Sequence, residues 1–263
     1  MPKKVSFKLY VEYDGSKFFG IQRQSFSPTV ESVLKTAALK IFGNDVMLLY
    51  CGRTDRGVHS VGMPMWLTVE SLVCLDSFKV KEALNSVLTD LRVTKCFKQF
   101  SNTLNIRKST FGREYFFLFS KEEPSVFLQH MVGSVECVID LEVLGLLSNL
   151  VVGRFDFMNF SNKNGNESNG TWRTLYSCRV KKLNAFSEFQ RGDGQSYCLS
   201  VVGQGFLYNM IRNILGAFLA CSQNRLLVEE FEKALTRDDE CKRFYKTVDP
   251  NGLVFRNATY INY

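Results

Sequence analysis

The sequence has few residues that could bind a metal and no uninterrupted apolar segment of membrane-spanning length. It contains two histidines, His59 and His130, and its eight cysteines are scattered without a C-x-x-C pair. Zinc sites need clustered Cys and His ligands, so we expect no metal. The apolar run around Val138 to Val152 contains Asp140 and Glu142, which argues against a membrane helix. We expect reduced, mostly buried thiols in a cytoplasmic protein.

Several common active-site signatures are also missing. Gly203-x-Gly205 has no third glycine, so it is not a dinucleotide fingerprint, and the segment from Tyr13 to Gly20 does not follow phosphate-loop spacing. No arrangement of Ser, His and Asp stands out. The N-terminal residues alternate between polar and apolar types, whereas a signal peptide needs a continuous apolar region.

The charge of the chain favours a polyanionic partner. Thirty-three Lys and Arg against 26 Asp and Glu give a net charge of +7. One stretch, Arg92 to Lys121, combines aromatic residues with a single acid, Glu114. Its basic residues are Arg92, Lys95, Lys98, Arg107, Lys108, Arg113 and Lys121. Such a stretch is typical of a nucleic-acid surface, although a solvated charged face has the same composition.

Periodicity predicts an α+β protein of two domains, each a mostly antiparallel sheet with helices, at 1–103 and 104–263. The expected strands are 5–13, 46–50, 63–69, 91–100, 113–120, 172–181, 196–202 and 253–260. The expected helices are 30–42 with Thr29 as N-cap, 78–88, 140–149, 206–222 and 227–235. The polar segment 161–170 is predicted to be an exposed loop.

The loop Gly52-Arg53-Thr54-Asp55-Arg56-Gly57 has the strongest chemical signal. Its glycines permit a tight turn that would project Asp55, and the flanking arginines favour the ionised carboxylate. A carboxylate in cationic surroundings suits a nucleophile or general base acting on nucleic acid. The alternative interpretation of the same hexapeptide is a surface turn with an Arg–Asp ion pair. His59 is a second candidate for catalysis, but a packing histidine is the simpler interpretation.

Two further residues are candidates on other elements. Arg212 would lie in the middle of the apolar helix 206–222, where a buried guanidinium needs a carboxylate partner, either Asp55 or Asp156. Tyr115 would share one face of a strand with Arg113, where it could stack on an extruded base or simply pack.

These segments, in this order, resemble the TruA-type family of tRNA pseudouridine synthases over roughly residues 5 to 260. The matching motifs include Tyr13-Asp14-Gly15, Gly52-Arg53-Thr54-Asp55 with Gly57-Val58-His59, Arg113-x-Tyr115, Phe206-Leu207-x-x-Met210-x-Arg212-Asn213 and Gly252-Leu253. The sequence departs from the family pattern at Ile21, Arg56, Asn105-Ile106-Arg107 and Val248 to Asn251.

The resemblance implies a pseudouridine-synthase-like fold whose two domains meet at a basic cleft. It implies that Asp55 is the nucleophile and Arg212 its partner, both catalytic. Tyr115 would stack on the base, and the substrate would also contact Arg53, Arg113 and Leu253. It further implies a homodimer without metal or organic cofactor, acting on uridines 38–40 of the tRNA anticodon stem-loop. Another uridine isomerase with a different target, or a non-catalytic RNA-binding protein of the same fold, are the alternatives.

Overall fold

The computed structural model describes residues 3–43, 46–71, 75–99, 109–162, 170–184, 195–236 and 245–260. The chain divides into two compact units, Met1–Phe111 with Val254–Tyr263, and Gly112–Leu253. The last strand therefore groups with the first part of the chain. The predicted domain boundary after residue 103 lies outside the described residues and stays a prediction. Each unit combines helices with a mostly antiparallel sheet, so the α+β class is confirmed.

The first unit has a sheet in which β1 and β3 are central. β1 pairs antiparallel with both β3 and β4, and β3 also pairs antiparallel with β2. β10 runs parallel to the start of β3. The elements are β1 (Lys3–Tyr13), α1 (Val30–Phe42), β2 (Met47–Tyr50), β3 (His59–Ser71), α2 (Ser77–Val87), β4 (Leu91–Gln99) and β10 (Leu253–Tyr260).

Alternation along β1 separates the two faces of this sheet. Phe7, Leu9 and Val11 are fully buried on the face that the helices cover, while Lys8 and Tyr10 point to the opposite face. This is the period of two that a half-buried strand requires.

The bounds of α1 follow from its capping residues. Thr29 accepts a hydrogen bond from the Ser32 N–H, and the two residues form a capping box. Gly43 ends the helix in the left-handed conformation, with φ of 70°. The prediction of 30–42 with Thr29 as N-cap is confirmed.

The second unit has a sheet in which β5, β9, β8 and β7 pair antiparallel in that order, and β6 pairs parallel to β5. α3 packs on β8 and on α4. The elements are β5 (Thr110–Ser120), β6 (Gly133–Ser134), α3 (Leu141–Leu150), β7 (Gly153–Asp156), a 3-10 turn (Phe157–Phe160), β8 (Trp172–Leu183), β9 (Ser196–Gly203), α4 (Met210–Ser222) and α5 (Val228–Leu235).

The start of α4 corrects one sequence expectation. The helix begins at Met210 and not at residue 206, because Asn209 adopts a left-handed conformation with φ of 60°. Left-handed backbone cannot continue a right-handed helix. In the described part of the chain, no helix is both long and apolar enough to span a membrane. Most of the predicted loop 161–170, residues 163–169, lies outside the described residues.

Candidate active site

Asp55 lies in a short loop, Cys51–Val58, between the end of β2 and the start of β3. The Val58 N–H donates to the backbone carbonyl of Asp55 at 3.2 Å, which closes a turn around this residue. Gly57 follows in the left-handed region at φ of 83°, where glycine is favoured. Asp55 as a residue is half-buried, and its backbone is fixed by the turn.

The residue before Asp55 is anchored by two contacts, one with the last residue of β1 and one with the segment that follows β1. The hydroxyl groups of Tyr13 and Thr54 are 2.9 Å apart, and the Ile21 N–H donates to the Thr54 carbonyl at 3.1 Å. Burial raises the pKa of the Tyr13 phenol far above its ordinary value, so the hydroxyl stays protonated. Thr54 is itself buried. The position of Asp55 is therefore set by a buried polar network.

Two glycines let the backbone of that segment approach the loop closely. A Cβ on Gly15 would lie 2.2 Å from the Val58 carbonyl oxygen, and one on Gly20 would lie 2.8 Å from the Thr54 carbonyl oxygen. Both distances are shorter than atoms tolerate, so these positions require glycine for packing reasons. The Tyr13-Asp14-Gly15 motif and Gly20 thus support the loop that carries Asp55.

His59 packs beneath the same loop. It is 2% exposed, and its Nδ1 accepts a hydrogen bond from the Gly15 N–H at 3.0 Å. The Asp14 carboxylate oxygen Oδ1 lies 3.2 Å from the same nitrogen. His59 therefore joins the end of β1 to the start of β3, which is the packing function that the sequence favoured.

The two arginines of the loop are both exposed and contact the segment after β1. The Arg53 guanidinium donates to the Gln22 side-chain oxygen. The centre of the Arg56 guanidinium lies 4.2 Å from the Phe19 ring centroid, within cation–π range. The two residues with positive charge that flank Asp55 in the loop are thus both held against the segment that follows β1.

Tyr115 and Arg113 lie on β5 in the second unit. Tyr115 is 6% exposed, and its ring meets the ring of Phe206 edge to face, with centroids 5.3 Å apart. Arg113, two residues earlier on the same face, donates through Nη1 to the Gln204 carbonyl. Gln204 and Phe206, in the segment before α4, therefore contact Arg113 and Tyr115, the two predicted substrate-binding residues of β5.

Arg212 lies in the first turn of α4, which corrects the expectation of a mid-helix position. Its Nε donates to the Val248 carbonyl at 2.6 Å, and its Nη1 donates to the Asn209 side-chain oxygen at 2.7 Å. The helix starts late because Asn209 is left-handed, and the same residue orients the guanidinium. Sequence reasoning gave no function to Asn209 or Val248. The left-handed conformation of Asn209 is seen in the structure and is not marked by the sequence pattern.

Leu253 is buried behind a tight turn. Its N–H donates to the Pro250 carbonyl at 2.9 Å, and it is 6% exposed. Gly252 precedes it at φ of 91°, where a Cβ would lie 2.1 Å from the Leu118 carbonyl oxygen. The glycine of the Gly252-Leu253 motif is therefore required by its backbone conformation and by its close approach to Leu118.

The predicted site residues are divided between the two units. Asp55 and Arg53 belong to the first unit, whereas Arg113, Tyr115 and Arg212 belong to the second, as does Leu253. Among the residues that the structure describes, no group of three or more His, Cys, Asp or Glu could hold a metal ion. The described contacts of the loop that carries Asp55 involve arginines, an aromatic ring and a buried pair of hydroxyl groups.

Comparison with known proteins gives a consistent family. The family model described as tRNA pseudouridine synthase matches residues 147–261. tRNA pseudouridine synthase A of Caldicellulosiruptor saccharolyticus is 30% identical over 254 residues, covering 96% of this chain and 98% of the relative. The protein of that name from Listeria monocytogenes (strain HCC23) is 28% identical over 257 residues, covering 97% and 98%.

A solved Cbf5-Nop10-Gar1 complex contains a chain that matches 95% of this one and 48% of its own length. The TM-score is 0.40 and the identity 11%, too low to support an argument. The full-length match to the curated relatives carries the assignment, together with the ordered motifs around Asp55, Tyr115 and Arg212. The chain belongs to the tRNA pseudouridine synthase family of isomerases, as a TruA-type member.

Proposed function

We propose that Asp55 is the nucleophile in the conversion of uridine to pseudouridine at positions 38–40 of the tRNA anticodon stem-loop. The observation that carries this proposal is the way the loop is held. Thr54 is anchored by Tyr13 and Ile21, while the neighbouring Asp55 is half-buried. A reactive group on a fixed backbone is what transition-state positioning requires.

The reaction suits a carboxylate that acts without a redox step. The C1′–N1 bond of uridine breaks, the uracil turns, and C5 bonds to C1′. C5 loses its proton and N1 gains one, so that atoms and electrons balance within the nucleoside. A carboxylate can attack a carbon of the sugar or base, or remove a sugar proton, and is released when the new bond is complete.

The other predicted residues would assist at defined steps. Arg212 would pair with Asp55 and keep its carboxylate ionised, and the bonds to Asn209 and Val248 would hold the guanidinium for that purpose. Tyr115 would support the uracil against Phe206 while the base turns. Arg53, Arg113 and Leu253 would contact the substrate around the target nucleotide.

The family resemblance also supports an assembly for this chemistry. We propose a homodimer in the cytoplasm, with no metal or organic cofactor. The net charge of +7 supports a tRNA partner. Analytical ultracentrifugation of the free protein and of its tRNA complex would measure the number of chains.

Asp55→Asn is the direct test of the nucleophile. Tritium release from tRNA labelled at C5 of uridine should fall to background under single-turnover conditions with excess enzyme. tRNA binding should remain, because phosphate contacts supply affinity. Asp90→Asn, at an exposed position of the same unit, is the matched control and should retain wild-type activity. Substantial pseudouridine formation by Asp55→Asn would reject the assignment.

Target position is tested separately. Pseudouridine mapping of tRNA from cells with and without the protein should show loss at positions 38–40 alone. Loss at other uridines would identify an isomerase with a different target. Unchanged modification throughout would favour an RNA-binding protein without catalysis.

A further inference from the structure

One face of the first unit's sheet alternates lysines with aromatic rings. Lys8 on β1 is in register with Phe97 on β4 and with Trp66 on β3, so the three side chains form a row across the sheet. The next row places Tyr10 opposite Lys95. We call Lys8, Tyr10, Lys95 and Phe97 the Tyr10–Phe97 patch.

The lysine ammonium groups of the patch lie close to the ring of Tyr10 and to that of the neighbouring Tyr260. Lys8 Nζ is 5.3 Å from the centroid of Tyr10 and 4.0 Å from that of Tyr260. Lys95 Nζ is 5.9 Å from the Tyr10 centroid. These distances lie within the cation–π range of about 6 Å, so the positive charges are held beside the rings.

The outer edge of the patch faces solvent. Phe97 is 51% exposed on β4, and its ring meets the ring of Tyr10 edge to face at 6.2 Å. The pairing of β1 with β4 shifts register between Tyr10 and Val11, which moves Val93 to the opposite face, where it is 1% exposed and contributes to the core. Folding therefore does not require an aromatic residue at position 97, and an exposed ring between lysines needs another explanation.

We propose that the Tyr10–Phe97 patch binds the tRNA substrate at a nucleotide outside the target uridine. An unpaired base stacks on Phe97, and the phosphates beside it contact Lys95 and Lys8. Aromatic rings on a sheet with basic neighbours bind single-stranded RNA in this way, because every base has a face that can stack. This inference rests on tRNA being the substrate and is independent of which uridine is modified.

A second copy of the chain fits this patch less well than RNA does. Protein interfaces are depleted in lysine at their centres, since a buried ammonium must be desolvated. Lys8 and Lys95 make up half of the patch, and they lie against its rings. Phosphate groups would neutralise both charges, whereas an identical face would bring like charges together.

The chain supplies matched controls for the experiment. Lys98 is on the same strand as Lys95, but it pairs with Phe7 and so lies on the helix-covered face. Phe78 on α2 is 67% exposed, an aromatic residue as accessible as Phe97 but away from the patch. Each test variant thus has a control of the same residue type in the same unit.

Binding of an unmodified tRNA transcript is measured by fluorescence anisotropy at several salt concentrations. Phe97→Ala should weaken binding by about 5- to 150-fold, the effect of losing one stacked base, with an unchanged salt slope. Lys95→Gln should weaken binding and lower the slope by about 0.7–0.9 units, the value for one lost phosphate contact. Phe78→Ala and Lys98→Gln should bind like the wild type.

Three results would overturn the proposal. The first is that Phe97→Ala and Lys95→Gln both keep the wild-type affinity for tRNA and the wild-type salt slope. The second is that Phe78→Ala and Lys98→Gln lose as much affinity as the patch variants do. The third is a changed oligomeric state of Phe97→Ala in size-exclusion chromatography with unchanged tRNA affinity, which would mark an interface between copies. Thermal unfolding of each variant separates misfolding from lost contacts, and Lys95→Gln, which removes no packed ring, remains informative if Phe97→Ala is unstable. Tritium release by Asp55→Asn tests the nucleophile independently.

Discussion

The hydroxyl groups of Tyr13 and Thr54 lie 2.9 Å apart in a buried environment. This contact joins the end of β1 to the residue that precedes Asp55. Burial raises the pKa of the Tyr13 phenol, so this hydroxyl stays protonated at neutral pH. The two residues are 41 positions apart, so this bond contributes to tertiary structure as well as to the loop.

Tyr13→Phe should lower both stability and turnover. The variant leaves the buried Thr54 hydroxyl without this partner, which costs about 1–3 kcal/mol in the free energy of unfolding. We expect single-turnover isomerisation to slow by at least tenfold, with tRNA affinity unchanged. Urea unfolding and tritium release measure the two effects.

The double variant with Thr54→Val tests whether the two hydroxyls act together. Removing both should cost less than the sum of the single changes, because neither polar group is then left buried alone. Additive losses in stability and rate would show that the contact does not position Asp55.

Gly15→Ala should distort the loop that carries Asp55. Its Cβ would lie 2.2 Å from the Val58 carbonyl oxygen, and we expect a loss of about 1–3 kcal/mol in stability together with most of the activity. Gly145→Ala is the matched control in helix α3, where no atom lies within 4 Å of the new Cβ. That variant should be stabilised by about 0.5–1 kcal/mol. Wild-type activity in Gly15→Ala would contradict the close packing.

Arg212 should require its planar, bidentate guanidinium. Arg212→Met is expected to abolish isomerisation, and Arg212→Lys to restore little of it, because lysine cannot bond Val248 and Asn209 from one rigid group. Asn209→Ala should reduce the rate without removing the charge, by freeing the guanidinium from its orientation. A lysine variant near the wild-type rate would show that charge alone suffices. Circular dichroism serves as the folding control.

The sequence predicts local elements well where their signals are local. Helix α1 was predicted from Thr29 to the Gly43 stop because capping residues act on their own neighbours. β7 was missed, since four residues carry little periodicity. The start of α4 was misplaced because the apolar period of 206–222 does not mark the left-handed conformation of Asn209.

The candidate site divides in the same way. Motif letters pointed to Asp55, but its supports at Tyr13 and Gly15 belong to another segment, and only the fold brings them to the loop. The different faces of two lysines on β4 could have been predicted from the sequence. Lys95 and Lys98 are three residues apart on a strand, so alternation alone places them on opposite faces. The basic residues from Arg92 to Lys121 therefore cannot all lie on one surface, as the two-residue period of a strand already predicts.

The buried thiols should make stability depend on pH above about 9. Burial raises the pKa of Cys178 from its ordinary value of 9.0 to about 12. Below pH 9 this thiol is protonated in both states. Above it the unfolded thiol ionises while the folded one does not, so the unfolded state is favoured increasingly until about pH 12.

Comparison with Cys178→Ala isolates this effect. The difference in free energy of unfolding between the wild type and the variant should shrink by about 1.4 kcal/mol between pH 8 and pH 10. Urea unfolding at both pH values, with reductant present, provides the measurement. A difference that does not change with pH would mean that the thiol ionises equally in both states.

The parallel pairing of β10 with β3 has a consequence for synthesis on the ribosome. Val254 and Phe255 pair with His59 and Ser60, directly after the Asp55 loop. Translation delivers this strand only after all of Gly112–Leu253 has emerged. During translation, His59 and Ser60 of β3 therefore lack their β10 partners until the whole second unit has been synthesised. The strand that directly follows the Asp55 loop therefore acquires its last pairing partner at the end of translation.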